Sequence, residues 1–200
     1  MDHFDRFTRT LAAFDAANRQ DPRQVMDENG VLYPSELLYA MRMSATLAEF
    51  QADASEALQL AVRSQHLQRW KIPRASYPMD RAGYLSWRTA LKQFHAEQAG
   101  IILQAEGYDE TMIARVASLL KKEQLKRDSD SQALEDVACL VFMRYYFAEF
   151  SAAHGEEKII AIVQKTWRKM SERAHHFALE GGIALPAPLV PLIQKAIATP

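Results

Sequence analysis

The sequence has little of several things on which many small proteins rely, and each shortage narrows what the chain can be. It contains one cysteine, Cys139, in 200 residues, so neither an intramolecular disulfide nor a cysteine-rich zinc site can form. That cysteine stands in the apolar run Val137–Phe142. This setting predicts a small buried side chain and not a nucleophile.

An excess of charge and long apolar runs are missing too. The formal net charge is −1, which gives no general attraction to nucleic acid or to an anionic membrane. No stretch is apolar for long enough to span a bilayer, so we expect no membrane partner. The N-terminal segment MDHFDRFTRT carries acidic residues and no apolar core, unlike a secretory signal. We therefore expect a cytoplasmic protein.

The familiar catalytic and nucleotide-binding motifs are also absent. There is no glycine-rich phosphate loop, no GxSxG, no HExxH and no CxxC. Internal repeats, low-complexity tracts and domain linkers are absent as well. The length suits one large domain, so we predict a single helical domain over residues 1–200. Its core would cover about residues 4–180, followed by a proline-containing tail over 181–200 with a short helix.

What the chain does have is helical periodicity along most of its length. Apolar residues recur at steps of three and four, which predicts amphipathic helices. The predicted helices cover His3–Asn18, Ser35–Phe50, Asp53 to about Trp70, Tyr84–Glu106, a segment capped by Asp109, Gln132–Ala153, Glu156–Leu179 and Leu189–Ile197. The segment Val31–Tyr33 alone could pass for a strand. We predict an all-α, compact bundle of about seven to eight helices.

Two histidines and one aspartate occupy positions where a polar side chain is costly. His66 follows Leu58 by eight residues, which puts it near the apolar face of the third predicted helix. His95 follows Leu91 by four residues and falls on the inner side of the fourth. Asp136 stands at the start of the most apolar helix, where a buried carboxylate needs a partner. We predict that these three side chains share one site.

Such a site could hold a metal. Imidazole nitrogens and a carboxylate suit one divalent transition metal, for which Mn, Fe and Zn are the candidates. His66, His95 and Asp136 would then be both its ligands and the catalytic residues. Alternatively, each histidine is a hydrogen-bonded core residue and Asp136 pairs with an arginine, so that no cofactor is bound.

Basic residues are concentrated around the two histidines. The segment from Ala57 to Met79 contains no acidic residue. Arginine presents a planar, always-charged fork that matches phosphate and carboxylate oxygens. The candidate substrate-binding residues are Arg63, Arg69, Arg74, Arg88 and Lys122, with Arg81, Lys121, Lys126, Arg127, Arg168 and Lys169 as further basic neighbours in the sequence. The alternative is that these charges lie on solvated helix faces.

Aromatic residues accompany these charges. Trp70, Tyr77, Tyr84 and Trp87 surround the prolines of the connector between the third and fourth predicted helices. They could stack on a nucleotide base, or they could pin the connector to the core.

Several long strings resemble an uncharacterised bacterial and fungal family, known as a domain of unknown function. They are SQHLQRWKIPRASYP (64–78), GYLSWR (83–88), FHAE (94–97), LEDVACLVF (134–142) and KTWRKMSERA (165–174). The resemblance runs from about Phe4 to Leu185 and implies a compact helical protein. Some fungal members carry a glutamyl-tRNA synthetase label, but this chain has too few strand signals for such a catalytic domain.

A more distant resemblance is to the HD superfamily of metal-dependent phosphohydrolases. QHLQRWKIP (65–73) resembles its His-Asp segment, HAE (95–97) its next histidine helix, and LEDVA (134–138) its closing aspartate helix. This resemblance implies metal-ligand roles for His66, His95 and Asp136. The chain departs from the pattern at Leu67, which stands in place of the dyad aspartate. It departs again at Arg42 and Met43, where the first histidine would be expected, and at Lys121 and Lys122, where some members carry another histidine.

Three functions follow as hypotheses. The first is a metal-dependent hydrolase of a phosphorylated small molecule or nucleotide. The second is a non-catalytic module that binds an anion, such as a nucleotide, a phosphorylated metabolite or an RNA end, on an altered HD-like fold. In the third, the basic residues are structural partners of Glu36, Glu56, Glu135 and Asp136. The sequence does not indicate an oligomeric state.

Overall fold

The chain forms ten α-helices and one short β-hairpin over the residues described by its computed structural model, which are 3–125, 127–184, 187 and 190–198. The helices are α1 His3–Asn18, α2 Ser35–Phe50, α3 Glu56–Ser64, α4 Arg81–Ala105, α5 Glu110–Lys121, α6 Ser129–Val141, α7 Phe147–Ala152, α8 Glu156–Trp167, α9 Glu172–Phe177 and α10 Val190–Ala198. The all-α prediction is confirmed, with slightly more helices than expected.

Some predictions fall on residues outside this description. They are Lys126 among the basic residues, and Leu185, Pro186, Pro188, Leu189, Thr199 and Pro200 in the tail. The predicted tail helix agrees with α10 over its described part. No helix in the described ranges is long and apolar enough to cross a membrane.

The hairpin extends the one predicted strand segment. Strand β1 (Gln24–Met26) pairs antiparallel with β2 (Leu32–Pro34), and Val25 lies opposite Tyr33. The turn between them is closed by Asp27, whose Oδ1 accepts hydrogen bonds from the backbone N–H groups of Asn29 and Val31. Strand β1 has no counterpart among the predicted segments, because three residues give almost no periodic signal.

The helices divide into two compact units. The first unit comprises Met1–Ala45 and Ala54–Gln124, and the second comprises Thr46–Asp53 and Leu125–Pro200. Helix α2 therefore begins in the first unit, and its last residues belong to the second. The prediction of one domain over residues 1–200 stays a prediction.

In the first unit, α4 packs along α5, α3 packs on α5, and α1 packs on both α3 and α4. Fully buried side chains from each of these helices fill the space between them, including Phe14, Leu58, Leu103 and Leu119. Asp109 caps α5 as predicted, since its Oδ1 accepts from the Met112 N–H at 2.8 Å. This packing presents the C-terminal end of α3, the middle of α4 and the C-terminal end of α5 to one another.

The third helix is shorter than predicted. It begins after its cap Ser55, whose Oγ accepts from the Leu58 N–H at 3.1 Å, and not at Asp53. It ends at Ser64 and not near Trp70, and Gln68 beyond it adopts a left-handed conformation with φ of 52°. The prediction that His66 lies on a helix is therefore wrong, because His66 occupies the turn after α3.

The predicted sixth and seventh helices are each interrupted. A π-helical turn, Phe142–Tyr146, separates α6 from α7 within the apolar run. The seventh predicted helix stops at Trp167, and α9 starts afresh after Ser171, whose Oγ accepts from the Ala174 N–H at 3.2 Å. Ser171 thus caps a new helix although the apolar period continues through this segment. In the second unit α10 packs on α8 and α6 packs on α9.

Candidate functional site

His95 is the most deeply buried of the predicted site residues in the first unit. It continues the apolar stripe of α4 after Trp87 and Leu91, and it is 4% exposed. Its Nδ1 donates to the carbonyl oxygen of Leu67 at 2.8 Å. Nε2 is buried and has no hydrogen-bond partner among the described residues. Burial, followed by the neighbouring His66 ring, lowers the pKa of His95 to about 3. The ring is therefore neutral at physiological pH, and Nε2 is an acceptor.

His66 lies beside it, with the two ring centroids 5.9 Å apart. Its ring stacks on Tyr39 at 4.0 Å, and its Nδ1 lies 3.2 Å from Oε2 of Glu36. Nε2 lies 3.3 Å from Nη1 of Arg69. A guanidinium only donates, so Nε2 accepts and Nδ1 carries the hydrogen that points to Glu36. Burial, and then the charges of Arg69, Arg88 and Lys122, hold the pKa of His66 well below its usual range.

Glu36 is a site residue that the sequence analysis placed only among possible structural partners. Burial raises the pKa of its carboxyl group, and the nearby Arg69 opposes that rise. Oε1 of Glu36 lies 3.8 Å from Nε of Arg69, whose guanidinium also covers the Trp87 ring at 4.8 Å. A signal did exist: Glu36 precedes the buried Ala40 and Met43 by four and seven residues, so it shares their inward face of α2.

A small cleft opens beside these side chains. It has a cavity volume of about 30 Å³ and is lined by Gln65, His66, Arg69, Arg88, Leu91, Lys92, His95, Leu120 and Lys122. All of these residues belong to the first unit. Four of them are cationic, and no carboxylate is among them. A cavity of this size accommodates a small charged group and not the whole of a metabolite, whose pockets usually exceed about 300 Å³.

Each wall of the cleft comes from a different segment. Arg88 stands seven residues before His95 on α4, so both project from the same face of that helix. Lys122 is the residue that ends α5, in a left-handed conformation with φ of 61°. Arg69 is held in the turns that follow α3. Charges that are distant in the sequence therefore converge on one cleft.

Two of the five predicted substrate-binding residues lie elsewhere. Arg63 makes a two-pronged ion pair with Asp15, at 2.7 and 2.6 Å. Arg74 donates to the backbone carbonyls of Tyr77 and Asp80 and so fastens the connector. Neither lines the cleft, whereas Arg69, Arg88 and Lys122 do. Arg63 and Arg74 therefore have structural roles, but their partners are not among the four carboxylates that the structural hypothesis named.

Trp87, one of the four aromatic residues around the connector, has a structural role as well. Nε1 of Trp87 donates to the carbonyl of Ile72 at 2.9 Å, and Trp87 is 7% exposed. The guanidinium of Arg74 lies about 6 Å from the Tyr84 and Trp87 rings. Trp87 therefore pins the connector to α4, as the second of the two interpretations expected.

Asp136, the third predicted ligand, belongs to the second unit and is 2% exposed. Its Oδ1 accepts from the Ser171 N–H at 2.8 Å and from Gln132 Nε2 at 2.9 Å, and its Oδ2 accepts from Ser171 Oγ at 2.6 Å. Its partner is a helix cap and not the arginine that the alternative expected. The carboxylate holds the start of α9 in place.

The donor set does not fit the metal that the HD resemblance implies. Both nitrogens of His66 and both oxygens of Asp136 are engaged by protein groups. Within the described ranges, no group of three or more His, Cys, Asp or Glu side chains could hold a metal ion. Imidazole nitrogens remain at the cleft as hydrogen-bonding groups, and the cations dominate its electrostatics.

Comparison with known proteins gives one match. A family model described as a domain of unknown function, DUF4202, matches residues 8–193. No curated protein and no solved structure matches the chain significantly. The predicted resemblance to a family of unknown function is therefore confirmed, whereas neither the HD resemblance nor the synthetase label is tested by these comparisons.

Proposed function

The chain belongs to the DUF4202 family, and from the geometry of its cleft we propose that it binds the phosphate group of an anionic small molecule or nucleotide without a resident metal. The observation that carries the proposal is the convergence of four cations on a cleft that is lined by no carboxylate. Although Arg69 also faces Glu36, four cations at one cleft give it a positive potential that attracts an anion. The protein would act as a binding module.

The chemistry of the lining supports phosphate in particular. Arg69 and Arg88 supply planar donors, and Lys122 supplies a compact charge, a combination that suits tetrahedral oxyanions. Arg88 makes no hydrogen bond or ion pair with any described residue, so its donors remain available to a ligand. The small volume places the phosphate in the cleft and the remainder of the ligand outside it.

The resemblance to the HD phosphohydrolases also supports a phosphorylated ligand. Where that superfamily places metal ligands, this chain has Leu67 and the basic pair Lys121 and Lys122. A lysine in place of a metal ligand keeps positive charge near a phosphate while removing the metal. The hydrolase hypothesis stays untested.

Thermal unfolding in the presence of inorganic phosphate, sugar phosphates and nucleotides tests the proposal. We expect at least one of them to stabilise the wild type, by about 2.7 kcal/mol at a hundredfold excess over its Kd. Arg88→Ala should weaken that ligand about tenfold, because a charge-assisted hydrogen bond is lost. Arg81→Ala is the matched control, since it removes the same charge from an exposed position on the same helix and should leave affinity unchanged.

Two outcomes would reject the proposal or change it. If no anion stabilises the wild type more than Arg88→Ala, the cleft is not an anion site. Binding should persist in EDTA, and its loss there would favour the metal-dependent hydrolase instead.

A further inference from the structure

The cleft carries one feature that a purely cationic anion site would not need. His95 lines it, and its Nδ1 already donates to the Leu67 carbonyl. Its Nε2 is a buried acceptor with no protein partner in the described part of the chain. Leaving a buried acceptor unpaired destabilises the folded state, so a donor hydrogen is expected to reach it when the site is occupied.

None of the described groups around His95 donates a hydrogen to its Nε2 in this structure. His66 directs its one N–H toward Glu36. Arg69 uses Nη1 on Nε2 of His66 and faces Glu36 with its Nε. The remaining charged groups of the lining, Arg88, Lys92 and Lys122, are cations that would face the oxygens of a bound anion. With these cations directed to the oxygens of an anion, a protonated oxygen of the ligand can supply the hydrogen to Nε2.

We infer that the cleft selects a phosphate group that retains a proton on one oxygen, and that it discriminates against sulfate. The cations bind the unprotonated oxygens, and the P–O–H group donates to Nε2 of His95. This inference rests on the proposed phosphate-binding function and specifies the protonation state of its ligand. Sulfate has the same shape but carries no proton at neutral pH, so it would leave Nε2 unpaired and place an oxygen lone pair against it.

The charge state of His95 supports this assignment of donor and acceptor. A cationic imidazole would donate to either anion and would not discriminate between them. Burial and the adjacent His66 ring keep the pKa of His95 at about 3, so the imidazole is neutral where phosphate still carries a proton. Glu36, which lies beside His66, raises the pKa of His95, but this effect is smaller than the lowering caused by burial.

The inference predicts a distinctive ranking of four tetrahedral oxyanions by titration calorimetry at about pH 7. Phosphate and arsenate both retain a proton, whereas sulfate and selenate do not. We expect the first pair to bind at least about tenfold more tightly than the second, since an interaction worth about 1.4 kcal/mol is a tenfold difference in Kd. The inference would be overturned if phosphate bound no more tightly than sulfate, which matches it in size, and arsenate no more tightly than selenate.

Inorganic phosphate and a phosphate ester are two sources of the same group, and pH distinguishes them. A monoester loses its last proton near a pKa of about 6. Inorganic phosphate still carries a proton at about pH 8, so its affinity for the cleft should persist to that pH. Binding of glycerol phosphate should fall as pH rises from about 5.5 to about 7.5, and a constant affinity over that range would contradict the inference.

His95→Phe provides an independent test, because it keeps an aromatic ring and removes both nitrogens. In the variant we expect phosphate and sulfate to bind within about twofold of each other. If the variant does not fold, the oxyanion ranking on the wild type still decides the matter. If phosphate and sulfate bind equally in the wild type and Arg88→Ala weakens both, the inference fails while the proposed function stands. If neither anion binds and no sugar phosphate or nucleotide does, both fail.

Discussion

The two units each contain a buried polar cluster, and the clusters differ in whether the protein satisfies them. In the second unit, both oxygens of Asp136 accept hydrogen bonds from Ser171 and Gln132. In the first unit, His95 has one nitrogen bonded and the other unpaired in the described structure, beside a cleft lined by cations. Both groups are nearly inaccessible to solvent, so burial alone does not distinguish them.

The difference separates a structural role from a binding role. A satisfied buried cluster rigidifies the fold, because every donor and acceptor removed from water has regained a partner. An unpaired buried acceptor together with converging like charges lowers stability, and a bound ligand can offset both effects. Asp136 therefore belongs to the scaffold of the second unit, and His95 belongs to a ligand site in the first.

The largest effect is expected at Asp136, where a substitution tests whether the buried cluster of the second unit is structural. Asp136→Ala removes the acceptor for the Ser171 N–H and Oγ and for Gln132 Nε2. We expect a loss of about 3 kcal/mol in the free energy of unfolding, measured by urea denaturation, because α9 loses the carboxylate that orders its cap. The phosphate-induced stabilisation should remain the same as in the wild type.

Asp136→Asn is the matched control for that variant. It keeps one oxygen and the shape of the side chain, so it should cost less than half as much as the alanine. If Asp136→Ala folds and yet abolishes phosphate binding, Asp136 is part of the ligand site, and the comparison between the clusters fails.

The next effect concerns acid stability and His95. Its folded pKa is about 3, against an ordinary value of 6.5, so below about pH 6.5 the unfolded state binds more protons than the folded state. Stability is therefore lost as pH falls from 6.5 towards 3. Between about pH 7 and about pH 5 this single group should cost about 2 kcal/mol. His95→Asn retains a donor for the Leu67 carbonyl. Between about pH 7 and about pH 5, the variant should lose about 2 kcal/mol less stability than the wild type loses.

Two neighbours titrate in the same cluster. The pKa of His66 is also lowered and adds to the loss, whereas the raised pKa of Glu36 favours proton uptake by the folded state and opposes it. Both groups are present in the wild type and in His95→Asn, so the difference between the two pH profiles reports His95 together with its charge interactions with these two neighbours. Parallel profiles would show that His95 is not held neutral by the fold.

Much of the fold could be predicted from periodicity and capping. The bounds of α1 and α2 agree with the prediction at both ends, since Pro22, Pro34 and the turn residues mark them clearly. The errors occur where tertiary contacts override local pattern. The apolar period continues past Ser64, but the chain turns there, and Asn18 Oδ1 accepts the Gln68 N–H at 2.9 Å. A contact fifty residues away in the sequence leaves no local signal.

The site could be predicted less completely. Periodicity predicted that His95 faces inward, and the structure places it beside His66, Arg69, Arg88 and Lys122 in one cleft. Periodicity also predicted that Asp136 is buried, but it could not indicate that Ser171 would be its partner. The spacing of residues along a helix shows which side chains face inward. Which of those side chains contact one another depends on how the helices pack.

The smallest expected effect is at Lys122, where a substitution tests whether the backbone beside the cleft is strained. Lys122 ends α5 with φ of 61°, a conformation in which glycine is the usual residue and a side chain costs about 1 kcal/mol. Lys122→Gly should therefore raise the free energy of unfolding by about 1 kcal/mol while weakening phosphate several-fold, because one cation leaves the cleft. Denaturation and calorimetry on the same preparation measure the two effects.

Lys121→Gly makes this test specific, because it removes an identical charge one residue away, outside the cleft lining. Lys121 is the last residue of α5 and is helical, so glycine there should lower stability by up to about 1 kcal/mol and leave phosphate affinity unchanged. We expect Lys122→Gly to be more stable than the wild type and to bind phosphate less tightly, and Lys121→Gly to be less stable with unchanged affinity. That result would show that Lys122 contributes its charge to ligand binding at a cost in folding stability. If Lys122→Gly is more stable and binds phosphate as tightly as the wild type, the lysine contributes nothing to the ligand site.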